Sequence, residues 1–200
     1  PNSGKGMPPV PLLDSLDTLA FAQFLLENGA DPNARQAKRF NNRERNFLNR
    51  VGATPYLLAA KHADAPLMRL LAAHGADTQQ PTEGNASPLM VAAGVGIWAV
   101  GESPGTNEEA LQAVKLMLEL GDVVTTVDAN RNTGLHGAVI RGSEPLVRFL
   151  VDQGADLEAV NEKGWTPLTI AEGVFYSNTG KRFPQMETLL LELGASRRAP

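Results

Sequence analysis

The sequence predicts an all-α solenoid of stacked helix pairs, and three observations carry that expectation. A motif of Ser or Thr, then Pro or Gly, then apolar residues occurs four times: Thr54-Pro55-Tyr56-Leu57, Ser87-Pro88-Leu89-Met90, Thr133-Gly134-Leu135-His136 and Thr166-Pro167-Leu168-Thr169. A glycine closes an apolar stretch five times, at Gly29, Gly75, Gly121, Gly154 and Gly194. The spacing between these two anchors resolves to a base unit of 33 residues, 20 from motif to glycine and 13 from glycine to the next motif. A fixed period of this length marks units that cannot bury their apolar faces alone and must stack.

The first helix of each unit begins at the motif. Ser or Thr before Pro is an N-cap followed by the residue best tolerated at the first helical position. Small residues follow in Leu58-Ala59-Ala60, Val91-Ala92-Ala93 and Gly137-Ala138-Val139, so neighbouring helices can approach closely. The second helix is read backwards from its closing glycine. Positions −8, −5 and −4 are apolar in every copy, as in Leu67, Leu70, Leu71 and Leu146, Phe149, Leu150. That spacing places one apolar stripe on a helix, and the glycine supplies the left-handed residue that ends it.

Three insertions interrupt the period: 13 residues after Gly29, 13 after Pro88 and 7 after Pro167, near residues 35–50, 95–108 and 173–184. Two departures from the motif stand out. Gly134 replaces the motif proline, and Gly121-Asp122-Val123 replaces the Gly-Ala-Asp found at Gly29, Gly75 and Gly154, which puts that loop's geometry in question.

Motif, period and closing glycine together resemble the ankyrin-repeat family over roughly residues 16–196. The resemblance implies an ankyrin-repeat solenoid with hairpin loops, whose hairpin tips and first helices form a concave face that holds other proteins. It implies no shared catalytic residues. On this reading residues 1–15, rich in Gly and Pro, are a linker or the loop of a truncated repeat, and residues 16–200 hold a partial first repeat plus four more. The chain looks like a fragment of a longer, bacterial-type ankyrin-repeat protein. Further repeats are expected upstream, because the bare first stripe with Phe21 and Phe24 needs a cover. Folding of residues 1–15 over that stripe, or dimerisation of an otherwise monomeric chain through it, would serve instead.

Composition narrows the function classes. With 42% hydrophobic and 20% charged residues the chain can build a packed core. A net charge of −4 argues against a general nucleic-acid binder. The absence of cysteine removes thiolate metal sites and thiol nucleophiles. No stretch approaches the ~20 apolar residues that span a bilayer, and residues 1–10 contain no apolar signal core. The three histidines, His62, His74 and His136, fit no zinc spacing, and neither Gly94-Val95-Gly96 nor Ser3-Gly4-Lys5-Gly6 completes a phosphate-binding motif. No cofactor and no enzymatic activity are expected.

Three groups of residues are candidate sites. The first insertion carries Arg35, Lys38, Arg39, Arg43, Arg45 and Arg50 against a single acid, Glu44, with Phe40 and Phe47 interleaved. These charges either pair with the acidic body or dock an acidic partner, with Arg39, Arg43, Arg45 and Phe47 as contacts. Hairpin tips supply Lys163 and Trp165, and one repeat earlier Arg131 and Asn132, as partner contacts. The other two insertions bring aromatics: Trp98 in one, Phe175 and Tyr176 in the other. They are expected to project from the edge opposite the hairpin tips and to meet above repeat four, as a satellite core or a ligand site. The leading function is a protein-interaction scaffold; the alternative is a small-molecule or glycan binder with its pocket under the inserted loops.

Overall fold

The computed structural model describes residues 17–38, 47–98, 104–174 and 181–197. Among them the regular structure is helical, with nine α-helices and no β-strand. The chain divides into two compact units, Pro1–Asp31 and Pro32–Pro200.

The first unit contains α1 (Thr18–Glu27), capped by the Asp17 carboxylate, which accepts from the Ala20 amide at 2.7 Å. Leu19, Phe24 and Leu25 on this helix are exposed.

The second unit holds four helix pairs: α2 (Pro55–Lys61) with α3 (Ala65–Ala73), α4 (Pro88–Ala93) with α5 (Asn107–Glu119), α6 (Gly134–Arg141) with α7 (Glu144–Asp152), and α8 (Pro167–Gly173) with α9 (Pro184–Glu192). First helices stack in the order α2, α4, α6, α8, and second helices α3, α5, α7 form a parallel row. Every motif hydroxyl is an N-cap. Thr54, Ser87, Thr133 and Thr166 accept from the amides of Leu57, Met90, His136 and Thr169 at 3.1–3.4 Å. Such a cap contributes about 1 kcal/mol, and there are four of them. Second helices end alike: Ala76, Asp122, Ala155 and Ala195 donate across the closing glycine to Leu71, Met117, Leu150 and Leu190.

First helices lie in the interior, and all of α4 and all of α6 are buried. Of the expected second-helix stripe, position −4 is buried in all four pairs, at Leu71, Met117, Leu150 and Leu190, position −8 in three, at Ala113, Leu146 and Met186, and position −5 in two, at Leu116 and Leu189. Leu67, Leu70 and Phe149 stay half-buried; position −7 joins the interior at Met68, Val114 and Val147, and only in α3 does it stand in for position −8.

Both motif departures fit their surroundings. A Cβ on Gly134 would lie 3.1 Å from the Leu89 side chain, so the missing proline leaves room for its neighbour. The loop after Gly121 keeps the ordinary closure, with Asp122 in place of alanine. Asp122 Oδ1 accepts from the Val123 amide at 2.7 Å, and burial pushes its carboxyl up from the usual range. The Tyr56 hydroxyl is pushed to about 12 by burial and by the Asp122 charge. Tyr56 Oη and Asp122 Oδ2 are both buried without a hydrogen-bond partner among the described residues.

Candidate functional site

Four successive hairpins, one leading into each pair, share one plan. Asn49, Thr82, Asp128 and Asn161 open them, each folding its side-chain oxygen back onto amides of its own tip. Asn49 accepts from Val51 at 3.3 Å and Thr82 from Ala86 at 3.2 Å; Asp128 accepts from Asn130 and Asn132 at 2.9 and 2.7 Å; Asn161 accepts from Lys163 and Trp165 at 3.0 and 3.1 Å. These are Asx and ST turns, in which a short polar side chain stands in for backbone. The residue three places on is left-handed in all four: Gly52 (φ +81°), Asn85 (+57°), Arg131 (+61°) and Gly164 (+77°). Adjacent tips are joined by backbone. The Glu83 amide donates to Val51 O at 2.8 Å, Ala129 to Gly84 O at 2.8 Å, and Glu162 to Asn130 O at 2.9 Å.

Facing the tips is a second wall built from two insertions. After α4 the chain turns at Gly94 (φ +125°) and passes over α6. The approach is backbone to backbone: a Cβ on Gly137 would come within 2.5 Å of the Val95 nitrogen. Gly96 then meets the first insertion, where a Cβ would stand 2.6 Å from Leu48 Cβ and the Phe47 amide donates to Gly96 O at 2.7 Å. The rings of Phe47 and Trp98 stack with centroids 4.7 Å apart. Leu48 anchors the assembly in a buried cluster with Ala53, Leu57, Ala86 and Val91. The returning limb is held by Arg141, 3% exposed, whose guanidinium donates to the carbonyls of Pro104, Gly105 and Thr106 at 2.9–3.2 Å.

Between the walls runs a cleft of about 440 Å³, with Phe47, Leu48 and Gly96 on one side and Asn130, Lys163 and Trp165 on the other. The Trp165 backbone is fixed at both ends. Its amide donates to Asn161 Oδ1, and its carbonyl lies 3.1 Å from His136 Nε2. His136 Nδ1 accepts from the Thr133 amide at 3.1 Å, so the proton belongs on Nε2, which donates to Trp165 O. Burial holds this imidazole below its ordinary pKa, so it stays neutral. Asn161 Nδ2 donates to Asn132 Oδ1 at 3.0 Å and ties the last two tips together. Lys163 Nζ sits 4.6 Å from the centre of the Trp165 ring.

Of the residues expected to form sites, Phe47, Asn132, Lys163 and Trp165 line this one cleft, and Arg131 stands exposed on the tip beside Asn132. Arg39, Arg43 and Arg45 lie outside the described residues, as do Phe175 and Tyr176. The expected course of the second insertion is corrected: it turns toward the hairpin tips, and Trp98 meets Phe47 of the first insertion. The reason is Gly137, whose bare backbone lets the chain cross α6 there. Sequence reasoning missed Leu48, Gly96 and Asn161 as cleft residues. Asn161 was within reach, since a residue that can form an Asx turn stands three before Gly164.

The repeat geometry is matched by the comparisons. A family model described as ankyrin repeats, in three copies, matches residues 105–177. The helices within residues 105–177 are those of ankyrin repeats. The array is similar to part of a transient receptor potential cation channel subfamily A member 1 homolog of Caenorhabditis elegans, 31% identical over 63% of this chain and 9% of that protein. It is also similar to a putative palmitoyltransferase of Danio rerio, 30% identical over 64% of this chain and 20% of that protein. Protein phosphatase 1 regulatory subunit 27 of Homo sapiens is 36% identical over 38% of this chain and 45% of its own length. The chain thus spans less than half of each of these relatives. Ankyrin repeats have a general role in protein–protein interaction. Among the described residues no helix is long and apolar enough to cross a membrane.

Proposed function

We propose that this ankyrin array is a non-catalytic scaffold that holds a partner protein on the concave face made by its hairpin tips and first helices. The observation that carries the reading is the cleft itself. One wall is a row of tips locked by backbone hydrogen bonds, and the other is made by two insertions packed on each other. A preformed, rigid surface loses little freedom on binding, so more of the contact energy appears as affinity. The basic first insertion, with Arg39, Arg43 and Arg45, favours a partner with an acidic surface and steers its approach. One relative is named a regulatory subunit, which supports a role exercised through another protein.

The test is site-specific photo-crosslinking. A photoreactive residue replaces Arg131 at a hairpin tip in one preparation and Arg148, exposed on α7, in another. A discrete protein adduct is expected from position 131 and not from 148. Adducts from 148 alone, or equally from both, would overturn the reading.

A further inference from the structure

Taking that face as the binding surface, we infer that the cleft receives an extended acidic segment of the partner, with one aromatic or branched apolar side chain seated between Phe47 and Trp165. The inference deepens the scaffold reading and rests on it.

The shape of the cleft selects an extended occupant. Its tip wall draws on three successive hairpins, represented by Gly84, Asn130 and Trp165. Stacked helices lie ~8–10 Å apart, so three consecutive tips run over ~16–20 Å. Five or six extended residues at ~3.3 Å each span that length, whereas a compact ligand would leave most of the trough unfilled. Asn130 is exposed on this wall, and its side-chain amide can both donate to and accept from a peptide backbone whatever its sequence.

The rings define the anchor. Phe47 is 46% exposed on one wall, and Trp165, half-buried on the other, has both ends of its backbone held. A flat or branched apolar side chain between them would cover both rings, and aromatic anchors in desolvated pockets are where binding energy concentrates.

Charge defines the flanks. Over residues 35–38, 47–54, 81–87, 127–133 and 160–166 the hairpin segments hold five cations (Arg35, Lys38, Arg50, Arg131, Lys163) against three acids (Glu83, Asp128, Glu162), a net of +2 in a chain whose whole carries −4; of these, Asp128, Glu162 and Lys163 line the cleft itself. Asp128 is buried and accepts two tip amides and the Asn132 side chain, so it presents little charge to a ligand. The tips are thus the cationic edge of an anionic protein. Arg131 sharpens the point: it occupies the left-handed position that two of the four tips give to glycine. A non-glycine residue held in that region is a pointer to function, and here the exposed guanidinium is what the chain retains.

The experiment is selection from a displayed library of random ten-residue peptides, followed by fluorescence anisotropy on synthesised winners. Selected peptides are expected to carry one aromatic or branched apolar residue flanked by Asp and Glu. Replacing the anchor by Gly, or the acids by Lys, should weaken binding about tenfold or more. The Phe47→Ala chain and the Arg131→Glu/Lys163→Glu chain, each verified as helical, should bind at least fivefold more weakly. Raising salt from about 50 to 300 mM should weaken binding further, because these charges are exposed. Selection of basic or unanchored peptides, no enrichment, or a soluble oligosaccharide that binds where peptides do not would overturn the inference. Crosslinking at position 131 alongside such a result would leave the scaffold face standing, so the two failures are distinguishable.

Discussion

The ring of Phe47 lies on the ring of Trp98, with planes inclined at 22°, and so joins insertions separated in the chain by three helices, α2, α3 and α4. Such a pair contributes about 0.5–1.5 kcal/mol beyond its area burial. Phe47→Ala should therefore lower stability by about 1 kcal/mol in urea unfolding. In a Trp165→Phe background Trp98 is the remaining tryptophan, and its emission should shift to the red. An unshifted spectrum would show that Trp98 does not depend on Phe47.

Gly137→Ala tests the close crossing of the second insertion. The added methyl would meet main chain, the Val95 nitrogen at 2.5 Å, which cannot swing aside as a side chain can. Over-packing of this kind costs about 1–3 kcal/mol, and the Trp98 signal should be lost with it. Gly164→Ala is the control. Its Cβ would meet nothing within 4 Å, so only the φ of +77° is penalised, about 1 kcal/mol, and Trp98 should be unaffected.

Arg131→Gly should stabilise the chain. At φ +61° arginine carries the left-handed penalty of roughly 1–2 kcal/mol, partly offset by the freedom glycine gains when unfolded. A net gain of about 0.5–1 kcal/mol is expected, together with weaker binding of acidic peptides. Stability that falls on this change would mean the arginine side chain has a structural contact.

The pH dependence of stability follows from His136. Burial depresses its folded pKa below the ordinary 6.5. As pH falls through about 6.5, the unfolded chain takes up a proton that the folded chain refuses, so stability declines. It is highest above that value and keeps falling until the folded imidazole protonates. Urea midpoints between pH 8 and 5 should show this decline, and a His136→Gln variant should show a flatter one.

Tyr56→Phe removes a buried hydroxyl that has no hydrogen-bond partner among the described residues. An unsatisfied buried polar group costs about 1–3 kcal/mol, so the variant should be more stable by roughly 1 kcal/mol. A loss instead would point to a bound water between Tyr56 and Asp122.

What could be read in advance was local. The hydroxyl of Thr54 finds the Leu57 amide three residues on, and Gly75 ends a helix through bonds to the turn just before it; both are settled by neighbours in sequence. The second-helix stripe was legible in period and, at Ala113, Leu146 and Met186, in phase; in α3 Met68 rather than Leu67 is fully buried, and only the packing of α3 on α2 and α5 decides that. The cleft was least legible. Phe47, Trp98 and Trp165 stood out one by one as aromatic residues in loops. Their grouping depends on Gly137, whose lack of a side chain resembles any small residue of a first helix until the chain that crosses it is seen.

Each hairpin is joined to the next by a bond between main-chain atoms, Val51 to Glu83, Gly84 to Ala129 and Asn130 to Glu162, while the side-chain bonds of Asn85 and Asn161 fall at other positions. A lineage can therefore rewrite the side chains at those six positions one at a time, without disturbing the register that holds them in a row. Mutational drift at those six positions alters whom the protein meets and leaves how it folds alone. The same separation offers an experimenter a surface on which a new specificity can be installed by point changes.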